Sequence, residues 1–242
     1  MNKSLILAAG ILWSLVACQS RTERLKERVV APGERIPALE STSDADNDLT
    51  VRPVSGSVFS SAPLPDSVFA RMTGVSFPEG AAVPREELCY LRLSYYDFDG
   101  CEKVGEMVCH REIAQDLVEI FRALYEARYP IRSIRLIDDF GGDDEASMRA
   151  DNTSCFNYRA KTGMRSLSKH AFGLAVDVNP LENPYVRPSG VRPAEASPYA
   201  DRMKEFAHKI DRNDLCYKLF REHGFSWGGD WRSVKDYQHF EK

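Results

Sequence analysis

Between Ser166 and Pro180 the chain reads Ser-Leu-Ser-Lys-His-Ala-Phe-Gly-Leu-Ala-Val-Asp-Val-Asn-Pro, in which His170 precedes Asp177 by seven residues. In an extended strand Leu174, Val176 and Val178 share one face, and Gly173, Ala175 and Asp177 share the other. Asp177 then stands on a face whose other residues are small enough to leave room beside it. His170 lies at the strand entrance and can fold over that open face. An imidazole and a carboxylate converging on one cavity are two ligands for a borderline cation such as zinc. A candidate third comes from Asp236-Tyr237-Gln238-His239. An offset of three puts Asp236 and His239 on opposite faces of a straight strand, so both serve one site only if a turn intervenes. One of them then stands at the metal. The other is displaced toward a water whose pKa the cation lowers to about 7, the place for a general base.

Residues that must meet from positions 170 and 239 need a scaffold. Tyr90 to Tyr96 alternate apolar and polar, Asp99-Gly100 is a turn signal, and Val104 to Val108 can return as a partner strand, which predicts a β-hairpin. A loop centred on Asp99 sets Cys89 across from Cys109, whereas Cys101 and Cys109 on one strand would lie roughly 26 Å apart and could not bond. The Asp97 to Gly100 string lacks the spacing of a calcium loop and reads as a turn. Ile113, Leu117, Ile120, Phe121 and Leu124 fall at helical spacing, so 111–128 is an amphipathic helix that ends before Pro130. A strand is expected over 131–137, a solvated acidic loop over 138–145, and two further helices over 199–210 and 213–223, the last closed by Gly224. Such a mixture is α+β, a small antiparallel sheet with peripheral helices. His110, His208 and His223 read as ordinary histidines, His208 on a charged helix face, while Trp227 and Trp231 are equally suited to packing and to walling a cleft.

The 242 residues carry 43% hydrophobic and 28% charged side chains, which excludes a disordered chain and a polytopic membrane protein. With 32 Lys plus Arg against 36 Asp plus Glu, the net charge of −4 offers no broad footprint for nucleic acid. Lys3 followed by the apolar run Leu5 to Val16 reads as a short export signal. Its end, Leu15-Val16-Ala17-Cys18, resembles the lipobox of bacterial lipoproteins, which implies cleavage before a lipidated Cys18 and firm membrane anchoring. Gln19, where an Asp would favour inner-membrane retention, implies the outer membrane, facing the periplasm. Domain organisation follows: a signal over 1–17, a lipidated start and flexible tether over 18–65, and one domain over 66–242. In that compartment Cys89 and Cys109 are expected to pair, Cys155 and Cys216 form a weaker candidate pair, and Cys101 is left free.

Ser168-x-His170, the step to Asp177, Trp227-Gly228-Gly229-Asp230-Trp231 and Asp236-x-x-His239 together resemble the VanY-like zinc D-Ala-D-Ala carboxypeptidases, from about Ser67 to the end. That family includes peptidoglycan dipeptidases and L-Ala-D-Glu endopeptidases. The resemblance implies a hedgehog/D-Ala-D-Ala peptidase-like fold and one zinc per chain on His170, Asp177 and His239. It makes Asp236 the catalytic base, has Arg159 hold and polarise the substrate carbonyl, and places Ser168 against the substrate. Stem peptides of peptidoglycan are the implied partner. Two neutral histidines and one aspartate leave such a centre with net positive charge, which polarises both water and carbonyl while Arg159 donates to the forming oxyanion. The same zinc constellation occurs in the hedgehog signalling domain, a binding module, so an inactive zinc-containing wall-binding lipoprotein is the competing reading. Asp236 favours the enzyme.

Overall fold

Alternation of apolar and polar residues on either side of Asp99-Gly100 builds the longest ladder in the molecule. The computed structural model describes residues 56–161 and 163–242, so the export signal, Cys18 and the tether up to residue 55 lie outside the described residues. The described chain begins with β1 (Phe59–Pro63), a short helix α1 (Asp66–Met72), the hairpin strands β2 (Leu88–Tyr96) and β3 (Glu102–His110), and helix α2 (Arg111–Glu126). β1 pairs antiparallel with β2, from Phe59 opposite Leu93 to Pro63 opposite Cys89. Residues 59–63 therefore belong to the folded body rather than to the tether. Pro63, which lacks an N–H, is tolerated because β1 is an edge strand. In the hairpin loop Asp97 Oδ1 accepts from the backbone N–H of Asp99 and Cys101, a turn as expected.

The apolar stripe of α2 packs on one face of the hairpin. Leu91, Leu93 and Met107 meet Ile113, Leu117, Ile120, Phe121 and Leu124, all essentially inaccessible to solvent. His110 caps the helix by accepting from the Glu112 N–H.

Beyond Pro130 the elements shorten. Only Ser133–Ile134 of the expected strand forms (β4), pairing parallel with β5 (Asn152–Thr153). The Asn152 side chain accepts from Arg135 N at 2.9 Å and donates to Arg135 O at 3.0 Å, taking the backbone groups a longer ladder would use. The acidic stretch is not a solvated loop. Ile137–Phe140 form a 3-10 turn, and Asp143 caps a helix α3 (Asp144–Arg149) by accepting from Glu145 N and Ala146 N.

Seven short elements complete the body: β6 (Ala175–Asp177), β7 (Tyr185–Arg187), β8 (Gly190–Arg192), α4 (Leu215–Glu222), β9 (Ser226–Trp227), β10 (Lys235–Asp236) and β11 (His239–Glu241). They give two three-stranded antiparallel sheets, in the orders β6-β11-β9 and β10-β7-β8. Small antiparallel sheets with few helices make the fold α+β.

No helix forms over 199–210. A 3-10 segment ends at Tyr199, and the Arg202 guanidinium then donates to the carbonyls of Glu182 and Ile210 and to Asn183 Oδ1 at 2.7–3.1 Å. A half-buried guanidinium thus gathers acceptors that helical bonds would otherwise use. His208 is in the left-handed region at φ 62 and stacks on Phe98, so it does not belong to a charged helix face. α4 starts after Asp214, whose side chain accepts from Cys216 N, and Gly224 follows at φ 84.

Neither expected disulfide is present: Cys89, Cys101, Cys109, Cys155 and Cys216 are free thiols. The hairpin register does set Cys89 opposite Cys109. Burial pushes the thiols of Cys109, Cys155 and Cys216 well up, away from the thiolate that disulfide exchange requires. No helix among the described residues is long and apolar enough to cross a membrane.

Candidate metal centre and its cleft

Period-two alternation along β6 puts Val176 into the core and Asp177 on the side of a cleft of about 320 Å³. His170 arrives from the 3-10 turn Lys169–Phe172, which Ser168 caps by accepting from the His170 N–H at 3.3 Å. Gly173 closes that turn at φ 68. A side chain there would meet the His110 backbone nitrogen at 2.6 Å, so glycine is required for both reasons. β11 pairs with β6 so that His239 stands directly opposite Asp177. Asp236 and His239 lie in different sheets with Tyr237-Gln238 turning between them, the geometry an offset of three demands.

The three ligand side chains are buried. His170 Nε2 lies 3.1 Å from Asp177 Oδ2 and 3.1 Å from His239 Nδ1, and His239 Nδ1 lies 3.0 Å from Asp177 Oδ1. Asp177 thus meets the two rings through different oxygens, and one ligand atom from each of the three residues can be chosen so that all lie within 4.8 Å of one another, close enough to converge on one cation. Second partners fix the rings. His170 Nδ1 is 2.6 Å from the Cys155 carbonyl, to which it donates, leaving the Nε2 lone pair facing inward. His239 Nε2 is 3.2 Å from Glu241 Oε2, which leaves Nδ1 facing Asp177.

Electrostatics test the fit. Burial works against ionised Asp177, yet His170 and His239 outweigh it and hold the carboxyl well below the usual range. Burial likewise opposes a charged His239, but its bonds to Asp177 and Glu241 push it up to about 10. The cluster thus draws positive charge into its centre, and a divalent cation satisfies that demand in place of a proton. Two imidazole nitrogens and a carboxylate oxygen form a donor set suited to a divalent transition metal.

Asp236 is half-buried on the same cleft, where burial pushes it up to about 7, His239 pulls it down and Asp177 pushes it up. Gln238 Nε2 donates to its Oδ1 at 3.2 Å. Gly228 lets this strand approach, since a Cβ there would lie 2.6 Å from the Asp236 carbonyl oxygen. Arg159 lines the cleft with its Nε 3.0 Å from Asp144 Oδ1. Ser168 lines it too, although its demonstrated contact is the cap on His170. The tryptophans divide: Trp227 is buried and donates to the Tyr237 carbonyl, whereas Trp231 walls the cleft with its ring 5.2 Å from that of His239.

Asp144, Glu145 and Tyr185 were not singled out from the sequence. Asp144 and Glu145 pair with Arg159 and Arg192 from the first turn of α3, and the available signal was Asp143 as an N-cap that starts a helix inside the acidic stretch.

His170, Asp177 and His239 form a buried group that could hold a metal ion, beside a carboxyl of raised pKa in a cleft of an α+β domain. Residues 162–242, which contain His170, Asp177, Asp236 and His239, match the family model described as D-alanyl-D-alanine carboxypeptidase. The match covers about a third of the chain and supports a peptidase. No curated protein matches the chain, and no solved structure does.

Proposed function

We propose that this chain is a zinc-dependent peptidase of the D-alanyl-D-alanine carboxypeptidase type, with one zinc per chain and a hedgehog/D-Ala-D-Ala peptidase-like fold, acting on peptidoglycan stem peptides. The observation that carries this reading is the buried cluster of His170, Asp177 and His239, one ligand atom from each lying within 4.8 Å of the others, with Asp236 on the same cleft. Zinc supplies Lewis acidity there, acidifying water and polarising a carbonyl. Asp236, with a pKa of about 7, accepts the proton of the attacking water and passes it to the departing amine. Arg159 donates to the carbonyl oxygen as negative charge develops on it, with Asp144 as its ion-pair neighbour. The Cys155 carbonyl keeps His170 in one tautomer throughout. Ser168 sets the turn that delivers His170 and offers its hydroxyl to the substrate. In the same reading Cys18 carries lipid that anchors the chain to the outer membrane, and the domain faces the periplasm.

The test is Asp236→Asn, which keeps size and removes the base. Zinc content by elemental analysis should stay near one per chain while hydrolysis of stem peptides falls by about 10²–10⁴-fold. Loss of zinc together with activity would make Asp236 a ligand. Parent protein fully loaded with zinc that releases nothing from purified peptidoglycan would be the wall-binding module instead. The mass of the released fragment separates a carboxypeptidase, which frees alanine, from an endopeptidase of L-Ala-D-Glu specificity.

A further inference from the structure

The roles above leave part of the cleft unused. Asp236 on β10 pairs with Tyr185 on β7, and Tyr185 pairs with Arg192 on β8. Residues directly opposite in antiparallel strands point to one face, and all three line the cleft. The row therefore runs from the base to a guanidinium two strands away, about 10 Å between Cα atoms at ordinary antiparallel spacing.

Arg192 is held at one edge only. Its Nε and Nη2 both donate to Glu145 Oε2, at 2.8 and 2.6 Å, while Nη1 donates to nothing among the described residues. Arg159 faces the neighbouring carboxylate as an ion pair, its Nε 3.0 Å from Asp144 Oδ1 without the geometry of a hydrogen bond. Consecutive carboxylates of α3 thus flank two arginines that reach the cleft from separate segments, and Arg192 keeps its Nη1 for another acceptor. A planar fork fixed in orientation with N–H groups to spare is suited to a carboxylate.

We propose that Arg192, positioned by Glu145, is a specificity-determining residue that takes a carboxylate of the peptide substrate, a second anchor beside Arg159. This rests on the peptidase reading of the same cleft. The carboxylate has two possible sources on a stem peptide, the chain terminus and the free α-carboxylate of a γ-linked D-Glu.

Zinc-loaded parent, Arg192→Gln, Arg192→Lys and Glu145→Gln are assayed on a stem peptide ending in D-Ala-D-Ala, on its C-terminal amide, and on the peptide amidated at D-Glu. Arg192→Gln should lower kcat/KM by about 10–100-fold on the substrate that keeps the recognised carboxylate, mainly through KM, and should leave the amide lacking it unchanged. The amide that shows no effect names the source. Arg192→Lys should recover part of the loss, and Glu145→Gln should raise KM in the same selective way with kcat kept. Equal losses on all three peptides, or none, overturn the assignment. Calorimetric binding of the three peptides to parent and Arg192→Gln separates the two readings. Parent that prefers the acid, with the preference lost in Arg192→Gln, supports Arg192 even if no peptide is cleaved. Parent that binds acid and amides alike rejects it even if cleavage occurs.

Discussion

β2 and β3 pair over nine residues each, whereas the strands that carry Asp177, His239 and Asp236 are only two or three residues long. The first region is fastened by the buried stripe of α2. The second shares that core through Val176, Val178 and Phe240 and adds side chains that bond to backbone. Asn152, Asn179 and Asn183 are all but fully buried. Asn179 joins Arg132 N and Pro130 O, and Asn183 joins Asn179 O, His208 O and Ile210 N. Apolar burial is strong but has no direction, while hydrogen bonds are individually modest and directional. The scaffold uses the former for stability. The region that must hold ligand atoms in a fixed triangle uses the latter.

If that division is right, damage in each region reads out differently. Phe121→Ala empties a fully buried site in the scaffold and should cost about 3–5 kcal/mol in urea unfolding, with zinc bound per folded molecule unchanged. A lower zinc affinity in the folded fraction would break the distinction. Arg202→Gln should cost about 2–3 kcal/mol through lost charged hydrogen bonds. Its signature in hydrogen exchange is faster exchange across 182–210 with α2 protection kept, and equal loss in both places would erase the contrast.

A third effect depends on pH. Glu182 and Asp151 are buried against each other, and burial with the Asp151 charge pushes Glu182 up from 4.5 to about 8. Between those values the folded chain keeps a proton that the unfolded chain has released, so stability falls as pH rises through that window. Glu182→Gln should flatten this slope, measured as urea midpoints near pH 5 and pH 8. A slope unchanged in the variant would remove the pair from the account.

Legibility in the sequence follows the same division. The hairpin and α2 follow from periods of two and 3.6, and β11 lies where the offset between Asp236 and His239 requires a turn. The candidate ligand residues were legible because each sits in a short motif with a constrained neighbour, as Ser168 does for His170. What escaped has no period. Arg202 replaces a helix by bonding to carbonyls at 182 and 210, and Asp144 and Glu145 meet arginines 15 and 47 residues on. β1 escaped as well, because an edge strand with Ser60, Ser61 and Pro63 carries almost no apolar alternation.

His239 has as its next residue Phe240, fully buried and stacked on Phe220 of α4 with ring centroids 4.2 Å apart. The ligand and the plug of the core are one peptide unit apart on a strand, so neither can shift without carrying the other. Heating therefore has no stage at which a loosened catalyst survives inside an intact body. The molecule behaves like a fuse: turnover should hold its normal temperature trend up to the global melting point and stop there.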